Sequence, residues 1–180
     1  VAVVYHPFDL ATGTARVATT VQAELAALFQ RARDLVVAAS LPERCSKAVE
    51  KAARVMDAMV GTIAFFHRVV AERIATLDVS DDVKALVLTA LIPSLYLERA
   101  AKKASTADAR TALRGVAARL QASLESHPAW VGMELAAIDA VHKLAVDCAD
   151  LFQRSSSCVE GRNGRLSLYH HGLHNLPPRK

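Results

Sequence analysis

Side chains with reactive or ligating chemistry gather near the C-terminus of this sequence. Cys158, Glu160, Arg162, Asn163, Arg165, His170, His171 and His174 all fall within residues 154–180. Glu160 is the central carboxylate. Ser157 stands three residues before it, the spacing of a capping box, in which Ser and Glu satisfy each other's backbone donors at a helix start. A capped first turn would also hold the carboxylate rigidly. Asn163 would then lie one turn further on the same face, flanked by Arg162 and Arg165. An acid and an amide among arginines suit a metal ion or a phosphate. The capping and ligating readings are compatible, and both stay open. Cys158 and the histidines are zinc-ligand types, with His170 and His174 at i and i+4. A structural zinc site takes four ligands in paired spacing, and no second cysteine lies near Cys158. Ligand count therefore disfavours zinc.

Charge singles out the same segment. Residues 154–180 hold five of the 22 Lys and Arg residues (Arg154, Arg162, Arg165, Arg179, Lys180) and one of the 18 acids. Residues 1–153 thus hold 17 of each, and the whole surplus of +4 lies in the tail. Such a segment is a footprint for polyanions or else a solvated basic end.

The elements that must carry this tail read as helix. Ala is abundant, Gly and Pro are few, and 52% of the 180 residues are hydrophobic, a composition favouring helix and a packed core. The expected fold class is all-α: an antiparallel bundle of about five long helices with a short extended N-terminus. Residues 1–13 form an extended lead-in, 14–153 the bundle, and 154–180 the tail. Val1 to Tyr5 is a short β-branched and aromatic run ended by Pro7. His6 to Asp9 reads as a turn, and Gly13 closes the segment.

A first helix is expected from Thr14 to Ala39, with Val21, Leu25, Leu28, Ala32, Leu35 and Ala39 as its apolar stripe. A second runs from Glu43 to Leu77 along a seam of Val49, Ala52, Met56, Met59, Ile63, Phe66 and Val70. Gly61 within it marks a close helix approach or a bend. A third covers Asp81 to Ala104, with Ser80 as N-cap and a kink or split near Ile92 caused by Pro93. A fourth runs from Thr106 to Leu124. Ser126-His127-Pro128 breaks the chain before a fifth, Ala129 to Gln153, with Val131, Ile138, Val141, Ala145, Cys148 and Phe152 inward. The longest apolar stretch, Leu86 to Leu97, falls short of the roughly 20 residues that span a bilayer, so no membrane association is expected.

Within residues 10–153 no active site is expected. His67 sits beside apolar neighbours, His127 and His142 are isolated, and Glu50, Glu98 and Glu134 read as solvated or paired helix residues. No phosphate-cradling glycine loop or nucleophile elbow is present. The three scattered cysteines read as reduced thiols of a cytoplasmic protein. A start at Val1 rather than Met suggests a piece of a longer product.

The run Ser156-Ser157-Cys158-Val159-Glu160-Gly161-Arg162-Asn163-Gly164-Arg165-Leu166-Ser167, continuing into Tyr169-His170-His171, resembles the C-terminal motif of DDE-type transposases of bacterial insertion sequences. Upstream, His6 to Leu10, Lys51 to Val55 and Ile92 to Arg99 resemble segments of an uncharacterised transposase-like family, so the likeness covers most of the chain. It implies an all-α insertion between the second and third acids of an RNase H-like domain. It further implies Glu160 as the third catalytic acid and Mg²⁺ ligand, and Arg162, Asn163, Arg165, His170, His171, Arg179 and Lys180 as DNA contacts. DNA ends would be the partner, and a homo-oligomer of the full-length protein is compatible with the resemblance, which leaves the oligomeric state open. Two-metal phosphoryl transfer needs several carboxylates, so this chain alone is expected to be inactive. The competing reading is a non-enzymatic helical module that binds nucleic acid or a protein through its basic tail.

Overall fold

The computed structural model describes residues 5–152, and these residues are all-α: no strand occurs among them. The helices are α1 (Ala18–Ala38), α2 (Glu43–Ala53), α3 (Met56–Ala75), α4 (Asp81–Leu86), α5 (Ile92–Lys103), α6 (Ala107–Glu125), α7 (Pro128–Val131) and α8 (135–152). A π-helical turn, Val87–Leu91, joins α4 to α5. No described helix is long and apolar enough to cross a membrane. One buried cluster unites Phe8 with Val21 and Leu25 of α1, Ile63, Phe66 and Val70 of α3, and Val141, Ala145, Cys148 and Phe152 of α8. A smaller one lies between α5 and α6, with Leu97, Ala101, Leu113, Val116 and Ala117.

Local chemistry sets the helix starts. Ser80 Oγ accepts from Val83 N–H at the head of α4, as expected, and Thr106 does the same for Ala109 at the head of α6. Each oxygen satisfies a donor that has no intrahelical partner. Asp108 sits in the first turn of α6, where a negative charge is favourable. Helix α1 ends on Ser40 at φ 46°. Leu41 N–H bonds Val36 O and Ser40 N–H bonds Val37 O, both at 3.0 Å, the Schellman pattern usually built on glycine.

Several expectations need correction. The lead-in is not an appendage: Phe8 is only 2% exposed, and helix begins at Ala18 rather than Thr14. Expected helix 43–77 is two helices, broken at Arg54-Val55, where the last bond of the turn tightens to Val55 N–H···O Ala52. No proline or glycine marks the break. Helix α2 has no fully buried residue, so too little packing force acts on it to impose one straight axis across the junction. The seam shifts with it: Ala53 packs against the core, while Ala52 is exposed. On α1 the stripe reaches the core only through its first half. Phe29 is buried, whereas Leu35 is 66% exposed and Ala39 is also outside. A Cβ added at Gly61 would meet nothing within 4 Å, so no close helix approach explains that glycine.

The expected helix 81–104 is interrupted near Ile92, as Pro93 led one to expect: α4 gives way to the π turn Val87–Leu91, and α5 starts at Ile92. Ile92 N–H bonds Val87 O in the i→i−5 pattern, and the chain enters α5 with Pro93 in the first turn, where its missing donor costs least. Ser94 Oγ donates to Leu91 O at 2.8 Å. The expected fifth helix is likewise two pieces, α7 and α8, separated at Gly132–Glu134. Val131 turns outward at 70% exposure instead of packing, while Trp130 beside it is buried.

Candidate functional site

Glu160, Arg162, Asn163, Arg165, His170, His171, Arg179 and Lys180 all lie outside the described residues, as do Cys158 and His174. The described structure instead shows what holds the helix leading to them. Helix α8 is buried through Val141, Ala145, Cys148, Ala149 and Phe152, the last only eight residues before Glu160 in sequence. Arg99 of α5 clamps α8 from the side. Its Nε pairs with Asp150 Oδ1 at 2.7 Å, and one terminal nitrogen donates to Val146 O at 3.2 Å. The Ile92–Arg99 segment is therefore core and clamp: Ile92, Pro93, Tyr96 and Leu97 are all buried.

Around the end of α8 stands an aromatic and histidine cluster. The Phe8 ring lies 5.8 Å from Phe66, 5.6 Å from His67 and 5.4 Å from Tyr96, the first two edge-on. Phe152 lies 5.7 Å from Phe66 and 5.4 Å from Tyr5. Rings at such separations gain beyond area burial through their quadrupoles. His67 Nε2 donates to Pro7 O at 2.9 Å. Burial pushes the His67 imidazole below its ordinary range, against hydrogen bonds to the backbone of Pro7 and Arg16 that pull it up. His6 Nδ1 and the Tyr96 phenol share a 2.5 Å hydrogen bond, and burial raises the phenol's pKa. The cluster pins the N-terminal segment and the end of α8 to α3 and α5. Its histidines are spent on backbone and phenol partners, which is packing chemistry.

The isolated polar residues are also accounted for. Asp9 Oδ1 accepts from Ala11 N–H (2.9 Å), Thr12 N–H (3.0 Å) and Thr12 Oγ1 (3.1 Å). Burial raises its carboxyl, but these bonds and the nearby Arg16 charge outweigh it and hold the group below the usual carboxylate range. It is a turn-former. His127 Nδ1 accepts from Ala129 N–H and so caps α7, His142 is exposed, and Glu50 pairs with Arg33. Burial raises the thiol of Cys148, in keeping with an inert core cysteine. Among the described residues no group of three His, Cys, Asp or Glu side chains is placed to hold a metal ion. The Phe8 cluster was not expected, because the turn placed at His6–Asp9 in fact lies at residues 10–12, and Phe8 instead bridges Ala15. The one available signal for the cluster was an aromatic residue in an expected Pro-turn where polar residues would suffice.

By fold the chain is an all-α protein. A family described as "Family of unknown function (DUF6399)" matches residues 87–180, more than half of it, and the chain belongs to that family. Neither a curated protein nor a solved structure matches it.

Proposed function

We propose that this chain is the C-terminal part of a DDE-type transposase, with the helical body as an insertion and Glu160 as the last catalytic acid. The observation that carries the reading is the anchoring of α8. The helix is buried and clamped up to Phe152, so the Glu160 motif is tethered within eight residues of a rigid point. The family match runs from the π-helical turn through α8 into that motif, which supports reading body and tail as one unit. Positioning is what such chemistry demands of a protein, since phosphoryl transfer depends on fixed metal and nucleophile geometry.

Among the described residues no group of His, Cys, Asp or Glu side chains is placed to hold a divalent metal. In this reading the other acids belong to a longer protein, where Glu160 would complete the ligand set. Arg162, Asn163, Arg165, His170, His171, Arg179 and Lys180 would supply phosphate contacts. The test is Glu160→Gln in the protein extended upstream in its own reading frame. Loss of Mg²⁺-dependent cleavage and strand transfer supports a catalytic acid. Retained activity refutes it, because Gln also serves in a capping box, and leaves the non-enzymatic binding module as the better account. Cleavage by the present chain alone, lost on Glu160→Gln, would refute the division of acids between this chain and an upstream part.

A further inference from the structure

Helix α2 has an unusual division of faces. Arg44, Lys47, Lys51 and Arg54 follow one another at spacings of three, four and three. At 3.6 residues per turn they fall within about 80° of arc and form a row about 15 Å long. All four are exposed, while Val49 and Ala53 on the opposite side pack against the core. The row therefore points away from the body.

Nearby acids do little to neutralise it. Glu50 is taken by Arg33 of α1, Nε to Oε1 at 2.7 Å. That bond lowers its carboxyl pKa; desolvation opposes it, and the charges of Arg33 and Arg54 lower it further. Glu43 pairs with Lys47 at 3.0 Å in a fully solvated contact, a kind of pair that exchanges easily. Among the described residues Arg44, Lys51 and Arg54 form no ion pair. An open trough of about 460 Å³ runs along Glu43, Ser46, Lys47, Glu50, Lys51 and Arg54.

We infer that this face of α2 is a phosphate-contact surface for duplex DNA, separate from the basic tail. The row is straight and carries flexible cationic side chains, and the exposed large apolar residues nearest to it in sequence, Leu41 and Val55, stand at the ends of α2 and outside the row. That suits a regularly charged backbone read without sequence. A protein interface would offer a buried aromatic or aliphatic anchor. A membrane-surface helix would turn its apolar face to lipid, whereas here Val49 and Ala53 are committed to the core. The choice of DNA as the polyanion rests on the proposed function; the charge row does not.

The experiment measures binding of the full 180-residue chain to a short random-sequence duplex between about 50 and 200 mM salt. Three proteins are compared: wild type, the α2 variant Arg44→Gln/Lys51→Gln/Arg54→Gln, and the tail variant Arg162→Gln/Arg165→Gln/Arg179→Gln/Lys180→Gln. Each phosphate contact contributes about 0.9 to the slope of log affinity against log salt. The α2 variant is expected to lose about 2.7 of that slope and to bind roughly tenfold more weakly or worse. Its circular dichroism should be unchanged, since the three side chains are exposed and unpaired. An unchanged affinity and slope overturns the inference. If the tail variant alone then loses binding, DNA contact by the tail survives. If neither variant differs from a non-binding wild type, DNA as partner falls as well. Binding to phosphatidylserine vesicles that depends on the α2 residues and resists competition by DNA would overturn it in favour of a lipid surface.

Discussion

Truncating Phe8 to alanine isolates the contact on which the N-terminal segment depends. The ring is 2% exposed and meets Phe66, His67 and Tyr96. Burying such a ring contributes about 2–3 kcal/mol by transfer alone. The vacated space adds a cavity cost, and Phe→Ala in cores spans about 3–5 kcal/mol. The segment's other ties set how far it can relax: Asp9 N–H to Thr14 O, Arg16 N–H to Pro7 O, the Arg16–Glu24 ion pair and His67 to Pro7 O. They hold it near its place, so the cavity collapses only in part, and a loss of about 3–4 kcal/mol is expected. That is a large share of the 5–15 kcal/mol typical of a domain. Trp130, the single tryptophan and a core residue, reports urea unfolding by fluorescence. With a slope near 2 kcal/mol per molar, the midpoint should fall by about 1.5–2 M. A loss under about 1 kcal/mol would refute the reasoning. So would rapid hydrogen exchange at Asp9 and Gly13 with an unmoved Trp130 transition, since the segment would then peel away independently of the core.

Three further outcomes follow from the same structure. Gly13 sits at φ +80°, and an added Cβ would lie 2.5 Å from Leu120 Cδ1; Gly13→Ala should cost about 1–2 kcal/mol from backbone strain plus rotation of Leu120, and an unchanged urea midpoint would contradict this. Ser40 holds the left-handed position that ends α1, so Ser40→Gly should stabilise by about 0.5–1 kcal/mol and raise Tm by about 1–4 °C; a fall in Tm would contradict it. Burial depresses the folded pKa of His67 below its ordinary 6.5. The unfolded chain therefore binds this proton more readily, and stability is complete above that range and declines as pH falls from 6.5 toward the depressed value. His67→Gln should flatten Tm between about pH 7 and 5, with an equally steep profile in the variant as the contrary result.

Much of the fold was legible in one dimension. Helix class followed from Ala content and 3–4 apolar spacing, because a helix must bury a stripe at its own period. Val21, Leu25, Ile63, Phe66, Val70, Val141, Ala145, Cys148 and Phe152 are core residues as that spacing required. Ser80 could be placed as a cap because one hydroxyl satisfies one local donor. Leu35 and Val131 escaped the pattern, since periodicity reports which face is apolar and leaves open whether another element arrives to cover it. The break at Arg54-Val55 left no local signal, because it reflects how little of α2 is buried.

The sequence by itself determined the local matters: the all-α class, the cap at Ser80, and the concentration of chemistry and charge in residues 154–180. Each depends on neighbours within a turn or on composition alone. Tertiary structure decided that Phe8 is a core residue joined to Tyr96 and Phe66, and that Pro93 enters a helix through a π turn. It also decided that the basic row of α2 faces outward, and that Arg99 fastens α8. Those outcomes turn on which distant surfaces meet, and the free energy of such a contact belongs to both partners at once.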